Sequence, residues 1–171
     1  MPCSLLRGAS IVYSGAAMGR IVVGVDGSPA SVAALKFALE EARLRRATVL
    51  AVHAWVLPLF EGVPGPFLLP VAPDPPLEQA RSLLEAQAAR VLDEAIAHVA
   101  AERPADVEVV SKVVEAAPAA ALLEAAEDAE LLVVGSRGRG GFAGLLLGSV
   151  SQRCAQRATC PVVIVRTSPN A

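Results

Sequence analysis

A glycine-rich segment that follows directly on a short apolar run is the feature that most limits what this chain can fold into. The run Leu131–Val134 has the length of a buried strand, and the segment Gly135–Ser149 comes straight after it. Glycine lets backbone N–H groups approach an anion closely, and a helix that begins at Ser149 would turn its first N–H groups toward the same point. Arg137 and Arg139 add cations whose guanidinium groups match phosphate oxygens. The segment therefore predicts a phosphate-binding loop at the carboxyl end of a strand.

The order of predicted elements indicates a parallel α/β fold. Apolar runs of strand length alternate with segments of helical period, which is the signature of βαβ units. We expect strands at Arg20–Val25, Thr48–Trp55, Val107–Val114, Leu131–Val134 and Val162–Val165, and helices at Ser28–Arg46, from Leu77 to near Arg103, at Pro118–Asp128 and at Ser149–Ala158. An open sheet of this kind binds its ligand beyond the carboxyl ends of its strands.

Three separated segments form a common pattern: the glycine spacing from Gly135 through Gly138 to Gly148 and Ser149, the opening Ile21–Ser28 and the closing Cys160–Val165. In this order they resemble the universal stress protein family, in its ATP-binding branch. The resemblance covers about residues 20–166. It implies a Rossmann-like three-layer sandwich with a five-stranded parallel sheet of order 3-2-1-4-5, which switches direction between the first and fourth strands. It also implies a homodimer through the last strand, a candidate exposed sheet edge.

The resemblance further implies that the ligand is ATP, with the phosphates on the glycine segment and the adenine toward Gly24 and Asp26. A turn residue is the alternative for Asp26, because Asp-Gly-Ser is also favourable turn chemistry. The second strand would flank the base near Val52 and His53, although a histidine among apolar neighbours is typical of a packed strand position. The candidate binding residues are Gly24, Asp26, Val52, Gly135, Ser136, Arg137, Gly138, Arg139, Gly140, Gly141, Gly148, Ser149 and Val150.

Other motifs fit the glycine segment less well. Gly138–Ala143 matches the G-x-G-x-x-A dinucleotide fingerprint, but that fingerprint belongs to the first βα turn and needs an acidic residue about twenty positions further on. No lysine precedes Ser149, which excludes a Walker P-loop. A plain surface turn is the remaining alternative.

Function is expected to follow from nucleotide occupancy rather than from fast chemistry. We expect an ATP-binding regulatory module of the stress response, with magnesium compatible with the phosphates and an unidentified protein as partner. The alternatives are a slow ATPase or nucleotidyl-transfer enzyme on the same fold, and a nucleotide-free dimerisation module. Gly24–Ser31 has neither the S-G-G-x-D-S loop nor the H-x-G-H pair that such enzymes carry, and the glycine motif is intact.

Composition bears on partners and location. A formal net charge of −2 leaves no basic excess to neutralise a nucleic-acid backbone, so we expect no nucleic-acid partner. No apolar run approaches the roughly 18 residues of a membrane span, so we expect no membrane association. Cys3, Cys154 and Cys160 lack C-x-x-C spacing, which favours a reducing compartment and a cytoplasmic location.

Two segments fall outside the alternating pattern. Residues 1–19 lack periodicity, and we interpret them as a disordered extension or as sequence upstream of a true start at Met18, with the nucleotide-binding domain at 20–168. Residues 56–76 carry seven prolines, which predicts a functional or disordered loop. Where many family members carry Gly-x-Pro, this chain has Ala116-Ala117-Pro118, so that turn must form without glycine.

Overall fold

The computed structural model describes residues 19–57, 77–99, 107–139 and 146–167. Its sheet contains the strands β1 (Arg20–Gly24), β2 (Thr48–Trp55), β3 (Val109–Glu115), β4 (Leu131–Gly135) and β5 (Val162–Val165). All neighbouring strands are parallel, and their order is β3-β2-β1-β4-β5. The predicted sheet and its order are therefore confirmed.

Helices cover both faces of this sheet. They are α1 (Pro29–Arg45), α2 (Leu77–Val99), α3 (Pro118–Ala125) and α4 (Ser149–Arg157). Helix α3 ends at Ala125, before the predicted Asp128, and the N–H of its C-cap residue Ala126 still bonds back to Leu122 and Leu123. Strand β3 begins at Val109, opposite Val49, rather than at the predicted Val107.

The core has two halves, one on each face of the sheet. Because successive strand residues point to opposite faces, Ile21 and Val23 pack with α1 and α2, whereas Val22 packs toward α3 and α4. All three residues are fully buried, and burial of one such side chain stabilises the fold by about 1.5–3 kcal/mol. Nearly continuous apolar strands are what a sheet covered on both faces requires. The predicted three-layer sandwich is confirmed.

The sheet changes direction between β1 and β4, and this positions the site. Strands β2 and β3 lie on one side of β1, and β4 and β5 lie on the other. The carboxyl ends of β1 and β4 are adjacent, with Val23 opposite Val133. Such a switch point opens a crevice beyond the strand ends.

The turn before α3 forms without glycine. Ala116, which holds the glycine position of that pattern, does not have a positive φ, and Ala117 has φ −58° and ψ 129°, which any residue adopts readily. The N–H of Ala116 donates to the carbonyl of Trp55 at 2.9 Å and so ties the turn to β2. Glycine's access to positive φ is therefore not needed here.

Several predicted features lie outside the described residues. They are the N-terminal extension up to residue 18, the proline-rich segment from 58 to 76, the end of the long helix near Arg103, and the segment 140–145 with Gly140 and Gly141. Within the described ranges, no helix combines the length and apolarity needed to cross a membrane.

Candidate functional site

A cleft of about 630 Å³ lies at the switch point. It is bounded by the carboxyl ends of β1, β2 and β4 and by the first turn of α4. This volume falls within the range of small-molecule sites. Ten of the predicted site residues line the cleft: Gly24, Asp26, Val52, Gly135, Arg137, Gly138, Arg139, Gly148, Ser149 and Val150.

Ser136 supports the cleft from beneath rather than lining it. The residue is buried, and its N–H donates to the carbonyl of Val165 at 2.7 Å. Its own carbonyl accepts from the N–H of Gly148 at 2.8 Å and from the Ser151 hydroxyl at 3.1 Å. Ser136 thereby joins β4, β5 and the start of α4.

The N-terminus of α4 offers backbone donors to the cleft. Its N-cap, Gly148, is extended at φ −76° and ψ 165° and supplies no side-chain cap. The N–H groups of Ser149, Val150 and Ser151 donate to no other group within the described residues. Unpaired donors and the positive end of the helix dipole coincide here, which is the arrangement that attracts anions.

Asp26 lies after β1 and bonds to two segments of the chain. One carboxylate oxygen, Oδ1, accepts from the N–H and the hydroxyl of Ser28 at 3.0 and 2.6 Å. The other oxygen, Oδ2, accepts from the N–H of Arg139 at 3.1 Å. Burial raises the pKa of Asp26, but the hydrogen bonds from Ser28, Ser31 and Arg139 together outweigh it and hold the pKa below its ordinary value of 3.8. Asp26 is therefore a turn residue and a cleft residue at once.

Two glycines at the site lie in close contact with side chains from other segments. A Cβ at Gly138 would overlap Oδ2 of Asp26, so the glycine segment passes directly over this carboxylate. A Cβ at Gly24 would lie 2.8 Å from Cδ1 of Leu122. The absence of a side chain at Gly24 thus lets α3 pack close to the cleft.

His53 is half-buried and lines the cleft from β2. Its Nδ1 lies 2.7 Å from the carbonyl oxygen of Val25. A carbonyl only accepts, so Nδ1 carries the proton and Nε2 of the neutral ring is left as an acceptor. The sequence indicated a packed strand histidine, and the structure adds this fixed tautomer.

The β2 side of the cleft is apolar, and this wall was largely missed by sequence reasoning. It combines the predicted Val52 with Ala54, Pro118, Leu122 and Val134. These residues come from different elements and form no local motif. Only the position of Ala54 and Val134 near the carboxyl ends of their strands could have indicated them.

The fold and its cleft define a doubly wound parallel α/β protein with a ligand crevice at the switch point. Residues 18–166 match the model of the Universal stress protein family, and the chain belongs to that family. The predicted family is therefore confirmed.

Relatives of known name and structure agree with this assignment. A universal stress protein of Mycolicibacterium smegmatis is 42% identical over 146 residues, covering 85% of this chain and 45% of the relative. The chain thus spans about half the length of the curated relatives it matches. A crystallised universal stress protein in complex with cAMP is 30% identical, with a TM-score of 0.62 and coverage of 90% of this chain and 100% of the other. UspA from Lactobacillus plantarum, at 22% identity, shares the fold with a TM-score of 0.69 over 89% and 100% of the two chains.

Proposed function

We propose that this chain binds an adenine nucleotide, ATP, in the cleft and acts as a nucleotide-dependent regulatory module of the stress response. The observation that carries the proposal is the first turn of α4, where the N–H groups of Ser149, Val150 and Ser151 have no acceptor among the described residues. Phosphate oxygens are strong acceptors for such groups.

The phosphates are assigned to the β4 side of the cleft. The N–H of Gly138 also donates to no described group and lines the same space, and the side chains of Arg137 and Arg139 are exposed beside it. The N–H of Arg139, which we expected to hold phosphate, donates to Asp26 instead. Among the described amides, those of Gly138, Ser149 and Val150 are left for the expected role.

The base is assigned to the apolar β2 side. Ala54 and Pro118 offer accessible apolar surface for a flat ring, and Nε2 of His53 is an acceptor suited to the exocyclic amine of adenine. The relative that was crystallised in complex with cAMP binds a ligand with the same base, which supports an adenine nucleotide here.

Magnesium would enter with the phosphates rather than occupy a protein cage. The described residues contain no group of three or more His, Cys, Asp or Glu side chains that could hold a metal ion. The nearest carboxylate, Asp26, already accepts from Ser28 and Arg139. A slow ATPase activity is the second candidate, and a measurement of the inorganic phosphate released from ATP decides it.

We also propose that residues 20–168 act as one domain, and that the protein is cytoplasmic. Two copies of this domain are proposed to pair through β5. Strand β5 lies at one edge of the sheet, and all four of its residues are half-buried. An edge strand presents unpaired backbone groups to another chain. The bound nucleotide would change the affinity of this contact, or of a contact with an unidentified protein. Light scattering with and without ATP tests the pairing through β5.

Calorimetry with ATP, with and without magnesium, tests the binding. A micromolar dissociation constant corresponds to about −8 kcal/mol. In Gly138→Glu, a charged side chain would start where Oδ2 of Asp26 lies, and we expect binding to be lost. Leu44→Glu is the matched control, because it adds the same charge at a residue that is 71% exposed near the end of α1, away from the cleft. Mass spectrometry of ligand released from freshly purified protein identifies the natural occupant, and a folded wild type that binds no ATP would refute the proposal.

A further inference from the structure

Asp26 connects two parts of the chain that are far apart in sequence. Through Oδ1 it accepts from Ser28, at the start of α1, and through Oδ2 it accepts from the N–H of Arg139, in the glycine segment. The Ser28 hydroxyl also lies 3.5 Å from the carbonyl oxygen of Arg137. The β1–α1 turn and the segment 137–139 are thereby joined by polar contacts on the cleft side of the sheet.

We propose that Asp26 is a positioning residue for the phosphate end of the cleft, where its carboxylate holds the segment 137–139 in the shape that receives a polyphosphate. The inference rests on the proposed function and deepens it. The family resemblance places Asp26 beside the adenine and ribose, whereas the contacts in the structure run to the phosphate segment. Asp26 acts through the backbone of Arg139 and need not touch a phosphate itself.

The fit at Gly138 supports this role. A Cβ there would overlap Oδ2 of Asp26, so the backbone of the glycine segment rests against the carboxylate with no room for a side chain. The contact also fixes which amides face the cleft, since Arg139 turns its N–H toward Asp26 while the N–H of its neighbour Gly138 is left without a described partner.

A positioning role for the carboxylate, and its presence as a mere neighbour of the phosphates, predict effects of opposite sign on polyphosphate binding. Asp26 carries a negative charge and lines the same cleft as the proposed phosphate site. If the carboxylate were only a neighbour of the phosphates, its removal would relieve repulsion and tighten polyphosphate binding. If it holds the segment in shape, its removal weakens polyphosphate binding despite the lost repulsion.

Inorganic tripolyphosphate and adenosine are the probes, and their affinities are measured by calorimetry for the wild type, Asp26→Asn and Asp26→Ala. Asparagine keeps the shape and one acceptor, so we expect about a five-fold loss of tripolyphosphate affinity, with a larger loss for alanine. Asp128→Asn is the matched control, because it makes the same change at an exposed residue. Asp128 precedes β4 and so lies at the amino ends of the strands, whereas the cleft lies at their carboxyl ends. Unchanged or tighter tripolyphosphate binding in both Asp26 variants, with a loss confined to adenosine, would overturn the proposal.

A second measurement does not depend on any ligand. Amide exchange at Arg139, followed by NMR, should become about ten-fold faster in Asp26→Asn, because the N–H loses its carboxylate acceptor. Thermal melts establish that each variant is folded. Exchange at the wild-type rate in both variants would refute the positioning role. A wild type that binds neither ATP nor tripolyphosphate would instead refute the proposed function, and the exchange rate alone would then decide whether Asp26 holds the segment.

Discussion

The N-termini of α1 and α4 both lie at the carboxyl ends of the strands, but their first backbone N–H groups are treated differently: α1 has a side-chain cap and α4 has none. Helix α1 is capped by Ser28, whose hydroxyl accepts from the N–H of Ser31 at 3.2 Å, and its first residue is Pro29, which has no N–H. Helix α4 follows Gly148, which has no side chain to serve as a cap, and its first three N–H groups have no described acceptor.

This difference is why we propose an anion site at α4 and none at α1. Both helices carry the same kind of dipole, with its positive end at this edge. At α1 the chain supplies its own anion, Asp26, whose carboxylate accepts from the N–H and hydroxyl of Ser28. At α4 no described side chain plays that part. A helix N-terminus is an anion site only where the sequence leaves its donors unpaired.

The largest expected effect comes from giving α4 the kind of cap that α1 has. In Gly148→Asp, the backbone already has extended N-cap geometry, and a Cβ meets only ordinary contacts of 3.6 Å or more. The new carboxylate should accept from the first-turn N–H groups and repel phosphate. We expect the affinity for ATP to fall by about a hundred-fold or more, while the protein gains up to about 1 kcal/mol in stability. Calorimetry and denaturant titration measure the two changes.

A substitution that merely disrupted the fold would lower both ATP affinity and stability. Weaker ATP binding together with higher stability in Gly148→Asp would therefore indicate a new helix cap. Gly148→Ala is the companion variant, because it adds a side chain without an acceptor and should not gain a cap. ATP binding at wild-type affinity in Gly148→Asp would show that the α4 donors are not the anion site, and the contrast between the helices would then have no functional meaning.

Removing the cap of α1 should have a smaller effect, and mainly on stability. Ser28→Ala leaves the N–H of the buried Ser31 without its acceptor and removes one donor to Asp26. We expect the free energy of unfolding to fall by about 2 kcal/mol, measured by denaturant titration. Ser82→Ala, at an exposed position within α2, is the matched control and should change stability little. Tighter tripolyphosphate binding in Ser28→Ala would mean that α1 also holds anions when uncapped.

The contrast between the two helices could partly be predicted from the sequence. Ser28-Pro29 is a local capping signal, and the glycines that precede Ser149 are a local signal of an uncapped, closely approached helix start. Alternation of apolar runs and helical segments indicated the parallel sheet, whereas the strand order and the switch point came from the family resemblance. The two capping signals depend on residues that are neighbours in sequence.

The features that escaped prediction depend on residues that meet only in the folded chain. The bond from Arg139 to Asp26 spans 113 positions, and no spacing rule indicates that the N–H of a residue in the predicted phosphate loop will donate to this carboxylate. The apolar wall has the same origin, since Leu122 of α3 and Gly24 of β1 come from separate elements and come into close contact only in the folded chain. The tautomer of His53 likewise depends on the carbonyl of Val25, in another strand-end segment.

The smallest expected effect is the pH dependence of the stability that Asp26 contributes next to the N-terminus of α1. The pKa of Asp26 is lower in the folded protein than its ordinary value of 3.8, so its carboxylate contributes stability that is complete above that pH. The contribution is lost as the pH falls through 3.8 toward the folded-state value, because the unfolded chain then takes up the proton first. We therefore expect the stability difference between wild type and Asp26→Asn to be constant from about pH 7 to pH 5 and to shrink below about pH 4. Denaturant titrations across this range measure it, with Asp128→Asn giving a flat difference. A difference that grew on acidification would mean that Asp26 is held with a raised pKa, and α1 would then lack the charged partner that sets it apart from α4.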